Sequence, residues 1–415
     1  MNAKTKLEKV EDALERELCD HCLGRLFAQL GHGITNKERG KSLRIAYAML
    51  GTEEERKKVP EETANCSLCN DLFDEIQKFS DIVLEDLQRF EFEDFLVGSR
   101  IDPEIEEKEE KIWTELNLTS AEPIKTEVNR EVGRRVEEEI DKEANLEDPD
   151  IKAILDTRFD SVEIELSPLF IYGRYKKFSR DIPQTTWICT RCRGKGCEKC
   201  GGTGKMYETS VEEIIGKPLV EMTSGEDFTL HGMGREDIDA KMVGNGRPFV
   251  MEIKNPEKRF LELDKWKERA NRDERVEIDS LKMVEREKVQ EIKQAGSDKS
   301  YRAKISLGRE GVDRAKFKKV LEELSEREIS QETPERVNHR RADKIRKRRV
   351  KDLKLDSMDG KKAALTLRCE AGTYVKEFIH GDGGRTQPNL AEKLDTICEV
   401  EELDVIEIHY PNGSE

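Results

Sequence analysis

Eight of the ten cysteines in this 415-residue chain stand in four Cys-x-x-Cys pairs. No other feature restricts the fold so strongly, because each pair has to find a second pair in space. Cys19-Asp20-His21-Cys22 and Cys66-Ser67-Leu68-Cys69 are two knuckles separated by 43 residues. A helical hairpin between them would let four thiolates close one tetrahedral site. The other four, Cys189, Cys192, Cys197 and Cys200, fall within one short run interleaved with Gly194, Gly196, Gly201, Gly202 and Gly204. Those glycines permit the tight turns that bring thiolates together. Each cluster offers four thiol ligands and leaves no open coordination position, so both read as structural zinc sites and not as catalytic ones. His21 lies between two ligands and reads as a bystander. Cys369 and Cys398 are left over as buried thiols.

Paired cysteines in a chain whose N-terminus, Met1-Asn2-Ala3-Lys4-Thr5-Lys6, lacks an apolar signal core suggest metal before disulfide. No apolar run reaches membrane-spanning length. The expectation is a soluble cytoplasmic protein with no membrane contact. Charged residues make up 40% of the chain and the net charge is −16. That balance excludes a protein that coats nucleic acid by bulk attraction, but it leaves room for a local basic face. Residues 336–349 supply one, with eight Arg or Lys against a single Asp. Arg340, Arg341, Arg346 and Arg348 are its candidate phosphate contacts; a solvated basic helix paired to Glu322, Glu323 and Glu326 is the plainer reading. Tyr172 to Arg180 adds aromatic and basic residues.

Two domains are expected, residues 1–170 and 171–415. Leu7, Val10, Leu14, Leu18 and Leu23 recur at helical intervals, so residues 1–100 read as mostly helical. Six acids and two lysines between residues 102 and 112 read as a solvated helix face or linker. Val162, Ile164 and Leu166 alternate with Glu163 and Glu165 as in a half-buried strand. With helix signals over residues 127–132, this suits a small α+β RNA-binding module of THUMP-like type. Beyond Tyr172, strand-like runs at 248–253, 301–306, 363–369 and 405–409 interleave with helical segments such as 314–326. The fold class is therefore mixed α/β, with a mixed-sheet catalytic domain and a zinc-containing α+β accessory domain.

The run Phe228-Thr229-Leu230-His231-Gly232-Met233-Gly234-Arg235-Glu236-Asp237-Ile238-Asp239-Ala240 carries the chemistry. An Asp two residues after an Arg, just past a Gly-rich turn, can be oriented by that guanidinium as a nucleophile. Spacing alone does not separate Asp237 from Asp239. The longer block resembles the active-site segment of the archaeal tRNA pseudouridine synthases that act on T-loop positions 54 and 55. The resemblance implies that Asp237 is the nucleophile and Arg235 its neighbour in the site. It also implies that Tyr301, in Ser300-Tyr301-Arg302-Ala303-Lys304, packs on a flipped base. Ala371-Gly372-Thr373-Tyr374-Val375-Lys376-Glu377-Phe378 is similar to a motif found more widely in pseudouridine synthases. There the basic residue, here Lys376, pairs with the catalytic carboxylate, and the aromatic, here Tyr374, lines the pocket. The implied partner is tRNA, with no organic cofactor and no protein partner required. The alternatives are a non-catalytic zinc-containing RNA-binding protein, another THUMP-bearing tRNA enzyme such as a methyltransferase or thiolase, and, from the likeness of residues 189–204 to DnaJ-type zinc repeats, a redox or chaperone role. No phosphate-binding Gly loop follows a strand, which argues against a nucleotide cofactor.

Overall fold

The computed structural model describes residues 3–50, 65–308, 312–337 and 342–410. Arg340 and Arg341 lie outside the described residues. Two compact units emerge, Met1–Ser167 with Glu257–Arg259, and Pro168–Pro256 with Phe260–Glu415. Among the described residues no helix is long and apolar enough to cross a membrane.

The first unit runs α1 (Ala3–Leu14), α2 (Asp20–Leu26), α3 (Asn36–Leu50), α4 (Ile76–Leu87), β1 (Phe95–Arg100), α5 (Pro103–Glu115), α6 (Ile124–Ile140), β2 (Ile151–Asp156) and β3 (Ser161–Leu166). Helices α2 and α3 pack backbone against backbone. A Cβ on Gly24 would lie 1.8 Å from the Asn36 carbonyl oxygen, and one on Gly40 2.0 Å from that of Asp20, so only glycine fits at either place. The acid-rich segment after Arg100 is a helix, not a linker: Asp102 caps it through the Glu104 amide, Pro103 opens it, and Ile105 and Ile112 turn inward. On α6, Ile124, Val128, Val132 and Val136 recur every fourth residue and are fully buried. They share a core with Phe95 and Val97 of β1 and Ile151, Ala153 and Leu155 of β2. Each such side chain contributes on the order of 2 kcal/mol. The small sheet has order β1-β2-β3, the first pair parallel and the second antiparallel.

In the second unit β4 (Leu169–Lys177) is followed by α7 (Val211–Thr223), β5 (Asp227–Gly232), β6 (Lys241–Lys254), α8 (Leu263–Ala270), β7 (Val276–Met283), α9 (Glu287–Gln294) and β8 (Asp298–Leu307). Then come α10 (Arg314–Leu324), β9 (Glu328–Gln331), β10 (Arg346–Asp359), β11 (Lys362–Cys369), α11 (Val375–His380), β12 (Thr386–Gln387), α12 (Leu390–Leu394) and β13 (Cys398–His409). The main path of its ten-stranded sheet is β12-β9-β10-β11-β8-β13-β6-β4-β7, with β5 also on β6. The sheet is mixed, as expected: β13 and β6 run parallel where Asp404 and Val405 face Lys241 and Met242, and the other pairs are antiparallel.

That parallel junction creates the site. β5 pairs with residues 249–254 of β6, and β13 pairs with residues 241–242 on the same edge. The loop 233–240 leaves β5 and returns as β6 where the two neighbours part. The run 346–349 is the start of β10, paired with β9, and not the helix that its charge pattern allowed.

Candidate active site

A cavity of about 810 Å³ opens over the 233–240 loop, lined by Gly234 to Ala240 with Lys299, Tyr301, Arg336, Arg346, Arg348 and residues 372–376 among others. Loop 233–240 has no regular secondary structure, so its shape depends on side chains beneath it. The buried carboxylate of Glu236 accepts from Arg247 Nε at 2.9 Å and lies 2.9 and 3.0 Å from the Tyr175 hydroxyl. Both partners are fully buried. Burial first, then the Glu236 charge, pushes the Tyr175 phenol well above its ordinary range, so it stays a donor. Arg247 Nη1 also donates to the Met233 carbonyl at 2.7 Å, and Gln184 Nε2 to that of Gly234 at 3.0 Å. Lys177 reaches the carbonyls of Asp237 and Ile238 at 3.3 and 2.7 Å, and Arg180 that of Asp239 at 2.9 Å. The block from Tyr172 to Arg180 therefore serves largely to fix the loop backbone: Tyr175 and Lys177 are wholly inside and Arg180 is spent on Asp239, Glu402 and Asp404.

This scaffold presents Asp237 with its side chain 35% exposed, accessible to a substrate and still partly desolvated. Arg336 Nη1 approaches one carboxylate oxygen at 3.0 Å and Lys376 Nζ the other at 3.4 Å. Lys376 also spans both oxygens of Asp239 at 2.8 and 2.7 Å. Burial works to raise the Asp239 carboxyl, but the Lys376 hydrogen bond and charge outweigh it and hold it low. Next in sequence, Glu377 is buried and fixes Arg336 through Nε at 2.6 Å. Adjacent residues of α11 thus grip Asp237 twice, Lys376 directly and Glu377 through Arg336. Gln331 holds the start of that helix, donating to the Tyr374 carbonyl and accepting from its amide, each at 2.9 Å.

Arg336, which brings a guanidinium to Asp237, is 99 positions away in sequence; the Arg235 guanidinium lies 5.1 Å from the Trp187 ring centroid. Tyr301 and Tyr374 both line the cavity; burial raises the Tyr301 phenol. Arg346 and Arg348 line it as well, with Arg346 over the Tyr374 ring at 5.9 Å and bonded to Thr333 Oγ1 at 2.8 Å. Their strand neighbours alternate away: Lys347 pairs with Glu328 at 3.0 Å and Arg349 with Glu326 at 4.0 Å. Arg336, Glu377, Glu236, Arg247, Gln184 and Lys299 were not legible as a set, since only the fold joins them.

Both cysteine clusters close as the spacing suggested. Within each, the four sulfurs lie within 4.8 Å of one another. Individual separations are 3.8 Å for Cys19–Cys69, 3.9 Å for Cys189–Cys197 and 3.8 Å for Cys192–Cys200. A tetrahedral ion with metal–sulfur bonds of about 2.3 Å needs sulfurs about 3.8 Å apart, so either cluster fits a metal. Amides of Cys19 and Cys22 point at sulfurs of the first, and those of Cys197 and Gly204 at Cys200 of the second. Arg25, fully buried, sets Nη2 3.5 Å from Cys22 Sγ and pairs with Glu109, as suits an anionic tetrathiolate. His21 stands aside, bonded to Glu127 at 2.8 Å and stacked on Phe73. The second cluster springs from the cavity rim: Trp187 and Tyr207 line the cavity on either side of it, and the Met206 amide donates to the Trp187 carbonyl at 2.8 Å.

A partly exposed carboxylate approached by two cations in a cavity of about 810 Å³ on a mixed sheet is an arrangement suited to an active site. Comparison gives the family. Residues 170–409 match the family described as Pus10, C-terminal, and residues 79–156 the archaeal Pus10 THUMP domain. The chain is 40% identical to the tRNA pseudouridine synthase Pus10 of Methanothrix thermoacetophila over 94% of its length and 91% of that protein's. It is also 40% identical to that of Methanopyrus kandleri, over 97% and 98%. A solved Cbf5-Nop10-Gar1 complex contains a similar chain at 15% identity and a TM-score of 0.31, covering 56% of this chain and 63% of that one. The chain belongs to the Pus10 family of tRNA pseudouridine synthases.

Proposed function

We propose that this chain isomerises uridine to pseudouridine in the T-loop of tRNA, at position 54, position 55 or both, with Asp237 as the nucleophile. The reaction breaks the N1–C1′ bond and joins C1′ to C5, so it needs a carboxylate close to the sugar and a pocket for an extruded base. The observation that carries the reading is the clamp on Asp237. Two cations from separate segments each approach one of its oxygens, while about a third of its side chain stays open. Tyr301 offers the flipped base a ring to stack on, and Tyr374 a second wall. Arg346 and Arg348 stand where phosphates beside the flipped nucleotide would pass. Two zinc ions, one per cluster, stabilise the two units, and tRNA is the only partner the chemistry requires. The test is to incubate the protein with unmodified tRNA and map pseudouridine by chemical adduct and primer-extension stops. Stops at 54 or 55 are expected; an unmodified T-loop with modification elsewhere would remove the positional part of the proposal.

A further inference from the structure

Lys299 is a buried cation without a counter-ion. It lies on β8 two residues before Tyr301, so both side chains leave the same face of the strand, and both line the cavity. Only 8% of Lys299 is exposed. Its one hydrogen bond goes to the Ser297 carbonyl at 3.1 Å, and among the described residues no carboxylate lies within ion-pair distance. Nζ would be 3.6 Å from a Cβ at Gly234, where Arg247 Nη1 would be 3.3 Å away; that glycine also has φ +76°, so the loop rests on the two cations. Below the loop, the Glu236 carboxylate is taken by Arg247 at 2.9 Å, which leaves Lys299 without one. Arg247 Nη2, moreover, is buried with no hydrogen-bond partner. A buried unpaired ammonium is expensive to keep, and Lys299 has one carbonyl where the buried Lys177 has three. Asp298, its neighbour in sequence, is committed elsewhere, to Lys351 at 2.8 Å and Arg368 at 2.9 Å.

Resting on the proposed isomerisation, we infer that Lys299 is a further catalytic residue, whose ammonium holds the uracil anion released when the N1–C1′ bond breaks. In that step an Asp237 oxygen bonds to C1′ as the N1–C1′ electron pair departs with uracil and spreads over N1, O2 and O4. The ring then turns, C5 bonds to C1′ as the C1′–Asp237 bond breaks and returns its pair to the carboxylate, the C5 proton leaves and N1 gains a proton, so nothing is oxidised or reduced. Between the two bond changes the base is a detached anion. The surplus positive charge beneath the loop is fixed before the reaction starts and stabilises that anion without reorganisation. Burial first, then the Arg247 charge, lowers the Lys299 ammonium to about 8, with Asp298 opposing. Across the strands that pack on it stand Cys369 of β11 and Ile408 of β13 in register, with Tyr301 on its own strand; Asp237 shares the cavity lining.

Single-turnover isomerisation of unmodified tRNA, at saturating enzyme, tests this in the full-length protein. Lys299→Met should slow the step about 100-fold while tRNA affinity stays within about twofold. Wild-type rates should fall as pH rises through about 8, because the ammonium is lost, whereas Lys299→Arg stays charged and should not share that fall. In tRNA carrying 5-fluorouridine, whose base is a better-stabilised anion, the Lys299→Met defect in glycosidic cleavage should shrink. A Lys299→Met protein with wild-type rate, or identical pH profiles for wild type and Lys299→Arg, would overturn the role. If Lys299→Met fails to fold, the Lys299→Arg profile decides. A wild-type protein that forms no pseudouridine would instead remove the parent reading, a result distinct from an active wild type with an indifferent Lys299.

Discussion

Asp237 and Asp239 compete for one lysine. Lys376 sits 2.7 Å from Asp239 and 3.4 Å from Asp237, so the exposed carboxylate holds the cation more closely than the proposed nucleophile does. Arg336 is the group that distinguishes Asp237, and it is fixed by Glu377. Replacing Glu377 with Gln should therefore cut turnover by roughly tenfold or more with little change in tRNA affinity, because Arg336 loses its anchor while the phosphate contacts stay. Single-turnover rates beside binding curves check this; equal rates would make the Glu377–Arg336 pair a stability feature only. A second residue-level expectation comes from alternation along β10. Neutralising Arg346 and Arg348, which line the cavity, should lower both affinity and turnover. Neutralising Lys347 and Arg349, which pair with Glu328 and Glu326, should do little to either. Affinity measured at several salt concentrations separates the two pairs, since only lost phosphate contacts reduce the salt slope.

At the scale of elements, what was legible was what repeats locally. Cysteine spacing disclosed both four-sulfur clusters, alternation disclosed β3, and strand-like runs disclosed the cores of β6, β8, β11 and β13. Charge misled where it overrode alternation: residues 346–349 are all basic, so their strand period was invisible, and the acidic α5 concealed Ile105 and Ile112. The clamp was legible only in half. Lys376 lies in a recognisable motif, but Arg336 reaches Asp237 across 99 residues and reads in sequence as one basic residue among eight. The first unit offers a stability test of its own. Arg25 and Glu109 form a pair with almost no exposure, and Arg25 also faces Cys22. Arg25→Met strands a buried carboxylate and should lower stability by about 3–5 kcal/mol in denaturant unfolding, against little change in Arg16→Met at the exposed Arg16–Glu115 pair. Chelation should have unequal effects. Stripping the Cys19/Cys22/Cys66/Cys69 cluster should unfold the first unit, because metal affinity there is folding free energy. Loss of ellipticity together with metal release is the expected sign; full metal loss with an unchanged spectrum would contradict it.

For the whole molecule, a net charge of −16 and a tRNA substrate are compatible because the positive charge is local. Arg336, Arg346, Arg348, Lys376 and Lys299 face one cavity, while basic groups elsewhere such as Arg16, Arg130 and Lys347 pair with acids. Binding and chemistry should accordingly be largely separable, binding resting on many contacts and chemistry on the few groups around one carboxylate. That separation makes Asp237 the most direct test. Asp237→Asn keeps the volume and one acceptor oxygen but removes the nucleophile, and it should bind unmodified tRNA about as tightly as wild type. In single turnover with mapping of pseudouridine at positions 54 and 55, it should form none over a period in which wild type goes to completion. A folded Asp237→Asn protein that forms pseudouridine at the wild-type rate would contradict the assignment and leave the clamp of Arg336 and Lys376 without a catalytic purpose.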